Sequence, residues 1–387
     1  MEEWKIYRLE ELGDIVGGAT PSTKEPLNYD GDIAWLTPKD LSTFNERFIS
    51  KGERSITKRG YDSCSCKMLP KGSVLFSSRA PIGYVAIAQN DLCTNQGFKS
   101  FMPSSKVDSL FMYYLLKYKK DDIASLGCGT TFMEVSGSVM KNVEVNIPDI
   151  ATQHRIAQVL SSLDDKIELN NRINHNLEEQ AQVFFSHWLN NCEDKVAISE
   201  LCDNILDYTP ITAKRVVALN SSDVTEGIFA ELSYTSISEI KGQFKKRFEK
   251  GDILYSEIRP RNLHYAYCYF NPMDYIASTR LMVIRSKSEK LYSSVMLYQY
   301  LQMPKVFEEF TSKTESRSGT FPQGNFKDLS SSIVPYSGDN EKISIILESL
   351  YKLIWKNIDE NKSFSSLRDS LLPSLMSGEL TINDLTC

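Results

Sequence analysis

Apolar residues recur at steps of three and four in two stretches. The first runs Ile156, Val159, Leu160, Leu163, Ile167, Ile173, Leu177, Ala181, Phe184 and Trp188. The second runs Ile343, Ile346, Leu347, Leu350, Leu353, Ile354, Ile358, Phe364, Leu367, Leu371 and Leu375. This period predicts two long amphipathic helices. Thr152 and Asp339 are the expected N-caps, and Asn190-Asn191 and Gly378 the expected stops. Pro373 is expected to kink or end the second helix, because it lacks an N–H and clashes with the preceding turn. At ~1.5 Å per residue, about 38 residues make a rod of about 57 Å. So narrow a stripe needs a partner, and the other long helix is the obvious one. The expected seam sets Ile156, Leu160, Leu163, Ile167 and Leu177 against Ile343, Leu347, Leu350, Ile354 and Leu371. Asn170, Asn174, Asn357 and Asn361 interrupt the stripes. Buried between helices they would fix the register; otherwise they face solvent.

The segments before the helices have a shorter period. Ser73–Phe76, Tyr84–Ile87, Ile253–Tyr255, Tyr265–Phe270 and Leu281–Ile284 read as strands between Pro, Gly and Asn turns. The two segments also repeat each other. Leu36-Thr37-Pro38-Lys39-Asp40-Leu41 returns loosely as Leu219-Asn220-Ser221-Ser222-Asp223-Val224. Lys71-Gly72-Ser73-Val74-Leu75-Phe76-Ser77 returns as Lys250-Gly251-Asp252-Ile253-Leu254-Tyr255-Ser256. Gly129-Thr130 and Phe132 return as Gly319-Thr320 and Phe321, and Val145–Pro148 returns as Ser332–Pro335. The common order, at offsets of about 179 to 190, indicates a duplicated domain rather than a solenoid.

Composition fits this picture. At ~100–200 residues per domain, 387 residues give two domains or three. No stretch approaches the ~18 apolar residues of a membrane span. Met1-Glu2-Glu3-Trp4-Lys5 lacks the apolar core of a signal peptide, and the eight cysteines are scattered. A cytoplasmic chain with reduced thiols is the expectation.

The net charge of −6 argues mildly against a nucleic-acid partner, but its distribution does not. Residues 51–107 hold nine bases against three acids, and residues 241–290 hold eleven against five. Residues 151–194 hold three against seven. Two basic blocks thus sit in corresponding places of the two copies.

Motifs for catalysis are missing. There is no Gly-x-x-x-x-Gly-Lys-Ser/Thr loop and no Gly-x-Gly-x-x-Gly, and Val16-Gly17-Gly18-Ala19 reads as a turn. Asn271-Pro272-Met273-Asp274-Tyr275 is only loosely similar to the Asn/Asp-Pro-Pro-Tyr of amino-methyltransferases, and also reads as a turn. Cys64-Ser65-Cys66 is too tight for a zinc site and has no nearby histidine. Three of the four histidines, His154, His175 and His187, fall on or at the start of the first long helix; the fourth is His264. No metal or cofactor site is expected, and a self-contained methyltransferase or nuclease has no support.

What remains suits double-stranded DNA. Bases neutralise phosphates, while Arg, Asn, Gln, Ser and Thr discriminate base edges. In the first copy the candidates are Thr37, Lys39, Lys58, Arg59, Ser77, Ser78, Arg79, Asn95 and Gln96. In the second they are Lys245, Lys246, Ser256, Arg259, Arg261, Asn262 and Arg280. A coiled-coil scaffold that binds only protein is the alternative.

These segments resemble the specificity subunits of type I restriction–modification systems. The resemblance lies in Leu36–Leu41, Ser78-Arg79-Ala80-Pro81-Ile82-Gly83 and Asn95-Gln96-Gly97-Phe98. It continues in Gln153-His154-Arg155-Ile156, Leu163-Asp164-Asp165-Lys166-Ile167-Glu168-Leu169-Asn170 and Leu371–Leu380. It implies an α+β fold, with two mixed α/β target-recognition domains in a pseudo-twofold arrangement, joined by two long antiparallel coiled-coil helices. The expected boundaries are 1–150 and 195–337 for the recognition domains, 151–194 and 338–380 for the helices, and 381–387 for a tail. Each domain would read half of a split, asymmetric site, with the helices setting the gap. Two modification subunits would dock on the helices and methylate adenine with S-adenosylmethionine. Restriction subunits would add cleavage driven by ATP with Mg. Two departures stand out. Copy two has Ser278-Thr279-Arg280-Leu281 in place of Asn-Gln-Gly-Phe, and Arg259-Pro260 in place of Ala80-Pro81.

Overall fold

Alternation and turn residues set the strands, and strand pairing closes each copy on itself. A computed structural model describes residues 4–128, 133–315, 323–338 and 340–385. The chain falls into two compact units, one of Met1–Asn170 with Glu360–Cys387, the other of Asn171–Asp359. Each unit therefore takes in part of both long helices.

In the first unit, Lys5–Arg8 pairs antiparallel with Glu144–Ile147, bringing the ends of the recognition fold together. A five-stranded sheet runs in the order Gly13–Gly17, Lys99–Pro103, Val74–Phe76, Val85–Ala88, Phe48–Ile49. A three-stranded sheet sets Tyr29–Leu36 between Arg54–Ile56 and Cys93–Thr94, the last pair parallel. The helix Ser109–Tyr118, capped by Asp108, lies against the larger sheet, and its Phe111, Tyr114 and Leu115 are buried.

The second unit repeats this plan. Asp194–Ala197 pairs with Ile333–Tyr336. One four-stranded sheet runs Cys202–Asn204, Leu281–Ser286, Ile253–Ser256, Tyr265–Tyr267. The other runs Thr235–Ser236, Arg215–Leu219, Tyr275–Ser278, Phe244–Lys246, and its pairing of Arg215–Leu219 with Tyr275–Ser278 is parallel.

The repeats are structural. Gly72 (φ 88°) and Gly251 (φ 97°) take the left-handed turn that favours glycine. Their N–H groups donate to Ala88 and Cys268 carbonyls, both at 2.8 Å. The loose match around Thr37 is a shared helix cap: Thr37 N–H donates to Asp40 Oδ2 at 2.6 Å, and Asn220 N–H to Asp223 Oδ2 at 2.7 Å. The match of Gly129-Thr130 and Phe132 with Gly319-Thr320 and Phe321 lies outside the described residues, as does Asp339. At the expected Val16–Ala19 turn, Gly13–Gly17 is a strand, and Gly18 follows it, packed against the carbonyls of Thr94 and Asn95.

The long helices are Ile150–Asn190 and Glu341–Ser377. Asp149, not Thr152, caps the first: Asp149 Oδ1 accepts the N–H groups of Ala151 (2.9 Å) and Thr152 (3.1 Å). Those bonds hold the Asp149 carboxyl below its ordinary pKa. The second helix continues through Pro373. Leu375 and Met376, buried in the first unit's core just beyond the proline, hold that last turn in place. It stops at Gly378, with φ 78°.

The seam does more than join helix to helix. Ile156, Leu160 and Leu371 belong to the first unit's core with Phe111 and Tyr114, and Leu163 and Ile167 are half-buried. Leu177, Ile343, Leu347, Leu350 and Ile354 belong to the second unit's core with Tyr255 and Tyr298. Each recognition fold thus packs directly on the helices. Ile173, Phe184, Ile346, Leu353 and Leu367, read as part of the stripes, are exposed. Phe185 carries the buried position beside Phe184.

The helices run antiparallel in the first unit, where Asp164 meets Arg368 (2.6 Å) and Asn170 meets Asn361 (3.0 Å). In the second unit Asn357 donates to Asn174 Oδ1 at 2.8 Å. All four asparagines are therefore paired across the helices. Among the described residues, no helix is long and apolar enough to cross a membrane.

Candidate nucleic-acid interface

Both copies present a loop between two antiparallel strands, within the same hydrogen-bond frame. In copy one Ser77 N–H donates to Tyr84 O at 2.9 Å; in copy two Ser256 N–H donates to His264 O at 2.9 Å. Ser78 N–H then donates to Gly97 O (2.7 Å), as Glu257 N–H donates to Arg280 O (2.9 Å). Val135 N–H donates to Ser78 O (2.9 Å), as Gly324 N–H donates to Glu257 O (2.8 Å). The frame pairs Ser78 with Glu257, Arg79 with Ile258 and Ala80 with Arg259. Arg79 and Arg259 thus differ by one position, and Gly97 matches Arg280.

Within this frame the candidates divide. Ser77, Ser78 and Ser256, expected to face DNA, are buried and build the loops instead. Ser77 Oγ donates to Pro81 O (2.9 Å), Ser78 Oγ to Gly97 O (3.2 Å) and Ser256 Oγ to Ile258 O (2.8 Å). A tight turn leaves carbonyls without ladder partners, and a serine hydroxyl satisfies them. Lys246 is also buried, its Nζ donating to Leu281 O at 2.7 Å, so it is a core cation rather than a phosphate contact. Thr37 is spent on its cap, and Asn95 Oδ1 accepts Gly97 N–H at 2.8 Å.

Five of the exposed candidates are in ion pairs. Lys39 pairs with Glu53 (2.7 Å), Lys58 with Asp62 (2.7 Å) and Arg59 with Glu25 (3.3 Å). Arg79 pairs with Glu134 (2.9 Å) and Arg261 with Glu315 (2.8 Å). Exposed pairs of this kind are worth ~0–1 kcal/mol, so a phosphate can displace the acid. Lys245 lies over the Tyr208 ring at 5.3 Å. Gln96, Arg259, Asn262 and Arg280 are exposed, and Arg259 takes φ 48°, unusual for a side chain of its size. Thr20 donates to Gln96, and the Gln243 amide reaches Asn220 Oδ1 at 3.4 Å. Thr20 and Gln243 join the candidate surfaces and left no signal in the sequence, while Asn220, like Thr37, is spent on its cap.

The acids differ between the copies. Burial raises the Glu134 carboxyl, but Arg79 and Lys99 outweigh it and hold it below the ordinary range. Burial raises the Glu257 carboxyl against the pull of Lys246 and Arg280. Burial likewise lowers Lys246 and His264.

Each loop-bearing fold is anchored to the long helices by a different chemistry. In copy one, Tyr114 donates to Asp164 Oδ2 at 2.5 Å, and Arg368 donates to Asp164 Oδ1 at 2.6 Å. Arg47, 4% exposed, donates to Glu168 at 2.9 Å and also to Asp165. The stretch Asp164–Glu168 of the Leu163–Asn170 motif is thus a docking strip for the recognition fold. In copy two, Tyr351 donates to Gln299 Oε1 at 2.6 Å. Trp355 stacks on Tyr267 at 4.7 Å and on Tyr269 at 5.4 Å. A buried ion cluster on one side becomes an aromatic stack on the other. Arg47 had no periodic signal in the sequence. Among the described residues no group of His, Cys, Asp and Glu could hold a metal ion.

Comparison with known proteins agrees with this architecture. The chain matches the family described as the type I restriction modification DNA specificity domain over residues 1–179 and 197–361. The type I restriction enzyme MjaIX specificity subunit of Methanocaldococcus jannaschii is 31% identical over 418 residues, covering 99% of this chain and 95% of that one. The HindI specificity subunit of Haemophilus influenzae is 34% identical over 161 residues, 41% of this chain and 35% of that one. The crystal structure of an S subunit from M. genitalium shares the fold, with a TM-score of 0.62 at 18% identity, covering 97% of this chain and 96% of that one. With two matched segments, two copies of one recognition fold and a full-length relative, this chain belongs to the type I restriction–modification DNA specificity family.

Proposed function

We propose that this chain is the sequence-reading subunit of a type I restriction–modification complex. Each recognition fold reads one half of a split, asymmetric site in double-stranded DNA. The observation that carries this reading is the pair of loops at 77–84 and 256–264. They share one backbone frame and present different side chains. A common frame fixes how the loop is offered, and different side chains let the two copies select different bases.

The rest of the reaction lies on partner subunits. Modification subunits carry S-adenosylmethionine and methylate adenine, and restriction subunits carry ATP and Mg; the chain itself supplies specificity in the cytoplasm. Docking of protein along the long helices is supported by exposed apolar residues. These are Leu169 and Leu367 in one unit, and Ile173, Phe184, Ile346 and Leu353 in the other.

A base-modification map of the source genome, with and without the gene, tests the reading. Loss of N6-methyladenine from one split motif is the expected result. An unchanged map from a strain whose modification subunits are expressed would contradict it.

A further inference from the structure

Gly97 and Arg280 hold one place in the two copies. The carbonyl of each accepts the N–H of the loop residue, Ser78 or Glu257. The N–H of each donates two residues back, Gly97 to Asn95 Oδ1 at 2.8 Å and Arg280 to Ser278 Oγ at 3.3 Å. In copy one this place admits no side chain. A Cβ on Gly97 would stand 2.7 Å from Pro38 Cγ and 3.0 Å from Pro38 Cδ, and a proline ring cannot move aside. In copy two the residue matching Pro38 is Ser221, by the shared cap of Thr37–Asp40 and Asn220–Asp223. Replacing the ring removes the clash, so the same backbone site can carry an arginine.

That arginine differs from its neighbours. Arg79, Arg261, Lys39, Lys58 and Arg59 all sit in ion pairs. Among the described residues, Arg280 is exposed and its guanidinium enters no ion pair and no side-chain hydrogen bond; Glu257 lies within electrostatic reach. The backbone beneath it is fixed from three sides, since Thr279 N–H also donates to Gln243 O at 2.8 Å. A guanidinium on a rigid loop presents a planar fork of donors. That fork matches the O6 and N7 acceptors of guanine in the major groove better than it matches any other base edge.

We infer that Arg280 is a specificity-determining residue, selecting guanine at one position of the half-site read by the second recognition fold. The first fold, with Gly97 there, has no reader at the matching place. This rests on the proposed function.

The test uses the full chain assembled with its modification subunits, on duplexes carrying the mapped motif. Arg280→Gln should weaken binding about 10–100-fold on the native duplex and little on the duplex already altered at that guanine. Arg280→Lys should keep the preference for guanine but weaken it, because an ammonium also reaches O6 and N7 without the planar fork. Equal loss on every duplex, or none on any, overturns the inference. With the unaltered protein, 7-deazaguanine at that position should weaken binding about 10-fold; no sensitivity at any guanine of that half-site also overturns it. If the unaltered complex does not prefer its motif at all, the proposed function fails instead.

Discussion

Asn357 donates its side-chain amide to Asn174 Oδ1 at 2.8 Å, while Asn170 donates to Asn361 Oδ1 at 3.0 Å. Asn170 and Asn357 are 187 positions apart, as are Asn174 and Asn361. The two bonds are therefore counterparts of each other in the duplicated chain, each joining the Asn170-type residue of one copy to the Asn174-type residue of the other. An amide pair between apolar stripes is satisfied in one register only, so it fixes how the helices align. Asn174→Leu should cost about 1–3 kcal/mol by stranding the Asn357 amide. Replacing both by Leu should recover much of that, while widening the range of gaps between methylated half-sites. Denaturant unfolding and a methylation map measure the two effects.

Arg47 is surrounded by helix acids, with Glu168 14% exposed. Removing one partner of a buried pair leaves the other uncompensated. Arg47→Ala should destabilise the chain by about 3–5 kcal/mol. Arg47→Met combined with Asp165→Asn and Glu168→Gln should restore most of it, because apolar packing replaces the pair without stranding a charge. Denaturant unfolding of the three variants decides this.

His264 closes the loop of the second copy, and its Nδ1 lies 2.9 Å from Thr225 Oγ1. Burial lowers its pKa below 6.5. The native state then binds fewer protons than the unfolded one, so stability is complete above 6.5 and falls as pH drops through the lowered value. His264→Gln should flatten the dependence of the unfolding midpoint on pH below 6.5. An unchanged slope would assign that dependence to other groups.

Burial pushes the thiols of Cys202 and Cys268 up to about 12. The thiolate is the reactive form. Iodoacetamide at pH 8 should label exposed Cys128 and leave Cys202 and Cys268 unmodified until the chain unfolds. Mass spectrometry of a labelling time course reads the order.

The duplication was legible from the common order and near-constant offset of individually weak matches, and two of these fall on turn and cap residues, Gly72 with Gly251 and Thr37 with Asn220. Those positions are set by backbone geometry, so they persist while the rest diverges. The long helices were legible from their period, but not which of Phe184 and Phe185 is buried. An apolar stripe drawn from spacing alone is wider than the buried face. The site was the least legible part. Ser77, Ser78, Ser256 and Lys246 have the residue types of DNA contacts, yet they satisfy the loop's own carbonyls or lie in the core. Arg47 carries no local signal in the sequence, because only tertiary packing sets it against the helix.

Two independent readers share one frame. Asp194–Ala197 pairs with Ile333–Tyr336, so the second reader begins and ends on adjacent strands and can be exchanged as a piece. Residues 194–336 should be replaced by the equivalent segment of another family member and the genome's methylation mapped. One half-site should change while the other half-site and the gap stay as they were. A change in both half-sites together would contradict it.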